Sequence, residues 1–355
     1  MAEILGLGIT HYPPLCLPDA QMAGILGWTL DDPAIPAEAK DPRRWPAAMA
    51  AEWADDRGER AAAAHRAALV EGLRRVRERL DAFRPDVVLI WGDDQYENFR
   101  EDVIPPFTVC AYDDLDLRPW AHAEASSLMR DRANVWNEDA TFGYRLRGRP
   151  DIARHLAGAL IERDFDLAYA YRSLHHRSVA HAFTNAILYL DYDRRGYEHP
   201  TICFPLNCYG RRVVSCRGFM TRMGPPVVFD PPSPSPRRFM DLGAATAQVL
   251  RDSPWRVALL ASSSWSHAFL VDHTWRLRPD TEQDRRLYDA MTAHDYATWR
   301  SRTLAEVEHA GQQEVLNWWT LLGAMEALGA PLAWSTFVET HVFNSNKVFA
   351  IYESR

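Results

Sequence analysis

What this chain is short of narrows it first. Its 355 residues include five cysteines, Cys16, Cys110, Cys203, Cys208 and Cys216. An odd number without C-x-x-C spacing supports neither a disulfide framework nor a thiolate zinc site, so they read as reduced thiols. No window approaches the roughly 20 apolar residues that a membrane span requires. The opening residues, Met-Ala-Glu-Ile-Leu-Gly, lack the basic start and apolar core of a secretory signal, and a cytoplasmic location is expected. A long basic face is missing as well. The formal net charge is −8 and arginines are interleaved with acids, which argues against nucleic acid or an anionic membrane as partner. Internal repeats and low-complexity tracts are also absent.

What is present suits a soluble enzyme with a large core. Hydrophobic residues make up 47% and charged residues 25%, and 13 tryptophans suggest aromatic-lined surfaces or pockets. One domain over residues 1–355 is expected, with an insertion around 18–56. That stretch is rich in Pro, Ala, Trp and Asp without clear period and reads as a surface insertion or lid.

Periodicity divides the rest into alternating elements. Apolar runs at Glu3–Thr10, Pro85–Trp91, Thr108–Tyr112, Phe165–Tyr171, Thr201–Asn207 and Arg256–Leu260 read as strands, with closing strands at Ala333–Val338 and Lys347–Tyr352. Amphipathic helices are predicted over Arg57–Phe83, Asp151–Asp164, Ala182–Leu190 and Pro234–Asp252, and a long helical region from Asp284 to Leu328. Asp113 to Gly148 reads as irregular. The fold class is therefore α/β, a three-layer α/β/α domain with a mostly parallel central sheet. Ligands in such sheets sit outside the carboxyl ends of the strands.

Polar residues gather at that edge. His11 follows the first strand, Asp93 to Gln95 the second, His175, His176 and His181 another strand-to-helix turn, and His267 the serine-rich turn Ala261-Ser-Ser-Ser-Trp-Ser-His267. His267 is the candidate catalytic base, because imidazole exchanges protons near neutral pH. His65 falls on the apolar stripe of its helix and reads as a core-edge residue, while His122 and Glu124 read as parts of a solvated loop. Two imidazoles and a carboxylate on one face of a metal leave open positions for a bidentate substrate and dioxygen, which suits non-haem Fe(II). His11 offers an imidazole. Glu314, entering the apolar run Val315-Leu-Asn-Trp-Trp319, offers a carboxylate whose burial a metal would compensate.

Six islands in order extend this reading: Gly8-Ile-Thr-His-Tyr-Pro-Pro-Leu15, Pro85-Asp-Val-Val-Leu-Ile-Trp-Gly-Asp-Asp94 with Phe99, Phe204-Pro-Leu-Asn207, Ser264-Trp-Ser-His267, Ala310-Gly-Gln-Gln-Glu314 with Trp318, and Thr340-His-Val-Phe-Asn-Ser-Asn346. In these the chain resembles the class III extradiol ring-cleavage dioxygenases, the family of the catalytic chain of protocatechuate 4,5-dioxygenase. The resemblance implies an Fe(II) centre with His11 and Glu314 as ligands and His267 as the acid/base that takes a phenolic proton. It places His176, or its neighbour His175, on the distal side of the substrate. The partners implied are a small catechol-like or aminophenol substrate and O2, in a homodimer.

One position departs from that pattern. Where the family usually has a histidine after Asn-Asp, this chain has Gly92-Asp-Asp-Gln95. An amide oxygen is a weaker donor than imidazole. Gln95 is the expected third ligand, with Asp93, Asp94, His65, His122 and His181 as the other residues able to complete the sphere. Two other functions remain open on this sequence, a metal-assisted hydrolase or lyase and a metal-free partner of a paralogous dioxygenase.

Overall fold

The computed structural model describes residues 2–122, 132–176, 178–217 and 228–353, without the side chains of residues 121 and 122. His122 therefore has its side chain, and Glu124 its whole residue, outside the described residues. Four strands are buried along their whole length: β1 (Ile4–Ile9), β2 (Val87–Asp93), β3 (Thr201–Leu206) and β4 (Val257–Ser262). Their near-continuous Val, Ile and Leu content is what a strand covered on both faces requires. They lie parallel in the order β3-β2-β4-β1. Strands β5 (Leu332–Val338) and β6 (Lys347–Glu353) complete the sheet: β6 runs antiparallel beside β1, and β5 forms the outer edge.

Helices cover both faces and make the three-layer α/β/α arrangement. On one side lie α1 (Glu59–Phe83), packed on β1, β5 and β6, and α3 (His181–Leu190), packed on β2 and β4. The stripe Ala62, Leu69, Leu73, Val76, Leu80 of α1 is buried at helical spacing, and His65 joins it, its ring 4.7 Å from that of Phe343. His65 is thus a core residue, as its spacing indicated. On the other side, α5 (Leu316–Leu328) lies across β1, β2 and β4, backed by α4 (Pro236–Arg251), against which α2 (Pro150–Ile161) rests. Gly8 permits the close approach of α5, since a Cβ there would overlap the Trp318 ring.

Three stretches differ from expectation. The 18–56 segment is not irregular. It holds the helices Asp19–Met22, Gly24–Leu30 and Ala47–Trp53, and Met22, Ile25, Leu26, Met49 and Trp53 enter the core. These helices are too short to show a period. Residues 113–148 contain a two-stranded ribbon, Leu115–Leu117 with Tyr144–Leu146. The long helical region from Asp284 is broken into Thr281–Thr292, Tyr296–Ser301, Leu304–His309 and α5. Its breaks have local causes. Asp295 and Thr303 each cap a new helix, and Gly311 ends the third with φ +66°. No helix among the described residues is long and apolar enough to cross a membrane.

Candidate metal centre and active site

The carboxyl ends of four parallel strands deliver the site. His11 stands two residues after β1, Asp93 closes β2 with Gln95 just beyond, Tyr209 follows β3 and His267 follows β4. Glu314 arrives from the opposite layer in the turn Gln313–Val315 that enters α5, and His181 opens α3. The pieces are held in place by backbone bonds. The amide of His267 donates to the Gly311 carbonyl at 2.8 Å, and His267 bridges Ser345 in a short antiparallel contact. A Cβ on Gly311 would lie 2.6 Å from Val271 and 2.8 Å from the His267 carbonyl, so only glycine fits this crossing.

The tautomer of His11 follows from its neighbours. Its Nδ1 lies 3.0 Å from the Ser262 carbonyl and 3.1 Å from the Ser262 hydroxyl. That hydroxyl donates its hydrogen to the Ala182 carbonyl at 2.8 Å. Both neighbours of Nδ1 therefore act as acceptors, and Nδ1 carries the proton. In the neutral ring, Nε2 is left with a lone pair. It faces Glu314 Oε2 at 3.4 Å, and His267 Nε2 stands 3.3 Å from the same oxygen. Glu314 Oε2 has no hydrogen-bond partner, although the residue is only 1% exposed.

The other carboxylate oxygens are occupied by neutral donors. Glu314 Oε1 accepts from the Tyr209 hydroxyl at 2.7 Å and from Gln95 Nε2 at 2.9 Å. Gln95 Nε2 also donates to Asp93 Oδ2 at 2.9 Å, and Asn317 donates to Asp93 Oδ1 at 3.3 Å. His181 meets the ring of His11 edge-on at 5.1 Å between centroids, and its Nδ1 lies 2.8 Å from Glu97 Oε2. Ligand atoms of His11, Asp93 and His181 all fall within 4.8 Å of one another.

Two carboxyl groups share this dry space, and their acidities show it. Burial pushes Glu314 well above the usual carboxylate range and the charge of Asp93 adds to this, against the Tyr209 and Gln95 bonds. Burial likewise raises Asp93, against His181 and Gln95. His11 is driven well down by burial and by the neighbouring His181 and His267. His267 falls to about 3 through burial and then the Lys347 charge. His181 goes the other way. Burial alone would lower it, but Glu97, Asp93 and Glu314 bring it up to about 10.

A divalent cation fits this donor set. An imidazole lone pair aimed at an unpartnered carboxylate oxygen, beside a second buried carboxylate, is a repulsive arrangement unless a proton or a cation lies between them. Imidazole with carboxylate is the donor mixture of non-haem iron sites.

Of the residues singled out from sequence, the structure brings together His11, Asp93, Gln95, His181, Glu314 and His267. His176 and His175 lie on the preceding turn. His176 Nδ1 accepts from the Ser178 amide at 3.1 Å, and His175 pairs with Asp102 at 2.9 Å. Asp94 turns its oxygens to the amides of Glu97, Asn98 and Phe99, closing the loop after β2. Tyr209, Glu97 and Asn317 were missed. Tyr209 was within reach of sequence reasoning, since it lies two residues past the Phe204–Asn207 island.

No family model matches the chain. Similar sequences exist among characterised proteins. A 2,3-dihydroxyphenylpropionate/2,3-dihydroxicinnamic acid 1,2-dioxygenase of Photorhabdus laumondii is 23% identical over 206 residues, covering 58% of this chain and 50% of that one. A second such enzyme, from Pseudomonas putida, is 26% identical over 200 residues, covering 56% and 49%. A third, from Paraburkholderia phymatum, is 29% identical over 150 residues, covering 42% and 39%. The relatives are named as dioxygenases. The chain spans about half the length of the first two dioxygenases it matches.

Proposed function

We propose that this chain is an Fe(II)-dependent extradiol-type dioxygenase that opens the ring of a catechol-like or aminophenol substrate with O2. The observation that carries the reading is the convergence of His11 Nε2 and His267 Nε2 on the unpartnered Oε2 of Glu314, at 3.4 and 3.3 Å. The names of the dioxygenase relatives support the same chemistry. His11 and Glu314 would hold the iron, which supplies a common binding point for the substrate oxygens and dioxygen.

The rest is done by the chain's own side chains. Burial, and then the Lys347 charge, favour the neutral form of His267, which has a lone pair able to accept a phenolic proton. Its Nε2 is the ring nitrogen that faces the centre, 3.3 Å from Glu314 Oε2. Tyr209 and Gln95 fix one oxygen of Glu314 and leave the other aimed at the centre. Burial of His11, Asp93, Glu314 and His267 keeps bulk water from the reacting atoms.

The test is anaerobic reconstitution with Fe(II), followed by oxygen uptake with a series of catechols that includes 2,3-dihydroxyphenylpropionate. One iron per chain, oxygen consumption and a yellow ring-opened product are expected. In His267→Ala, iron content should stay the same and turnover should fall by about 10²- to 10⁴-fold. Undiminished turnover would remove His267 from the mechanism. A folded protein that takes up no iron would overturn the reading as a whole.

A further inference from the structure

We infer that His181, with Asp93, fills the coordination position that Gln95 leaves vacant, and that Gln95 is a positioning residue rather than a ligand. The inference rests on the reading of the site as a divalent-metal centre and asks which atoms hold the ion. The Gln95 nitrogen lies 2.9 Å from both Asp93 Oδ2 and Glu314 Oε1. Once both acids are ionised, as metal binding requires, their oxygens only accept, so the amide end that faces them must be the NH2 group. An amide nitrogen has no lone pair to give a metal. Turning the amide over would set its oxygen against two carboxylates and lose both bonds. Gln95 therefore ties the two acids together and keeps them side by side.

His181 has what Gln95 lacks. Its Nδ1 is taken by Glu97 Oε2 at 2.8 Å, and its backbone amide also donates to Glu97 at 3.0 Å. A carboxylate on one ring nitrogen fixes the ring, sets the tautomer and raises the basicity of the other nitrogen, which is the usual outer support of a metal-bound histidine. That leaves Nε2 for an ion. The ligand atoms of His11, Asp93 and His181 lie within 4.8 Å of one another. Three ligands at roughly 2.1 Å from one ion lie about 3 to 3.5 Å from one another, so binding draws these side chains inward from the spacing they have here. The resulting set is two imidazoles and two carboxylates: His11, His181, Asp93 and Glu314. It comes from β1, α3, β2 and the turn before α5.

X-ray absorption at the metal edge decides between the two ligand sets in the unaltered chain, loaded anaerobically with Fe(II) or Co(II). Multiple scattering counts bound imidazoles. Two are expected, and a single imidazole would overturn the inference. In His181→Ala the count should fall to one and metal affinity by tenfold or more, with added imidazole restoring much of the affinity. Gln95→Leu should keep two imidazoles at the ion. Unchanged affinity in His181→Ala, or loss of a ligand in Gln95→Leu, would also refute it. Failure of the underlying reading looks different: the wild-type chain would then bind no divalent metal at all.

Discussion

Replacing Asp284 with asparagine should remove one identifiable component of the pH dependence of stability. Asp284 is fully buried in the first turn of Thr281–Thr292 and joins three segments of the site. It accepts from the Ser266 amide at 2.9 Å, from Gln312 Nε2 at 2.7 Å and from Asn346 Nδ2 at 2.8 Å. Burial pushes its carboxyl group up to about 7, against those three donors. An acid whose pKa is higher in the folded chain than in the unfolded one stabilises the fold while protonated. That stability is complete below the unfolded value and is lost as pH rises through the folded one. The interval from 3.8 to about 7 is worth roughly 4 kcal/mol at about 1.36 kcal/mol per pH unit. Asparagine does not titrate and has nearly the same shape. It costs about 1–3 kcal/mol, because its NH2 group must face a donor at one of the three contacts. Urea denaturation of both proteins at pH 4.5, 6 and 8 isolates the effect. The variant should be the weaker protein at pH 4.5 and gain on the wild type by roughly 3 kcal/mol by pH 8. A stability difference that stays constant over this range would show that Asp284 ionises like an ordinary surface carboxylate, and the reasoning would fail.

Other substitutions test neighbouring parts of the fold. Gly311→Ala places a side chain at φ +66° against Val271 and the His267 carbonyl, and should cost about 1–3 kcal/mol in chemical denaturation together with much of the turnover. Glu52 accepts from the Thr340 hydroxyl at 2.6 Å and from the His341 amide at 2.6 Å, so Glu52→Ala should destabilise the chain by about 2 kcal/mol and speed hydrogen exchange in residues 340–346. Lys347 is fully buried, donating to the Phe343 carbonyl at 2.8 Å above the Tyr12 ring, and burial lowers its pKa well below the usual value against the charge of Glu52. A lysine lowered in this way destabilises the fold while charged, so Lys347→Met should raise the thermal midpoint at pH 6 by more than it does at pH 9.5. Equal shifts at the two pH values would contradict that environment.

The strands and the edge where they deliver polar groups were legible because each obeys a local rule. β2 and β4 are buried on both faces, so their apolar runs announce themselves, and whatever follows them lies at the carboxyl edge. His11, Glu314 and His267 meet there. The choice among His175, His176 and His181 was not legible. All three lie on one turn and the start of its helix, and only the bond from Glu97 shows which ring is turned toward His11. Gln95 was legible as a departure but not as a tether, because the two acids it joins come from β2 and from the turn before α5. The Asp284 junction left no trace in the pattern either. A buried acid in the first turn of an otherwise charged helix reads as an ordinary surface residue until its three partners are seen.

The crossing of His267 with Ser345 and Gly311 has a bearing on biosynthesis. Contacts between segments so distant in sequence form slowly, because long loops must close before any bond rewards them. A nascent chain carries His267 well before Ser345, so the backbone contacts that hold His267 in place form only after that later segment has been released.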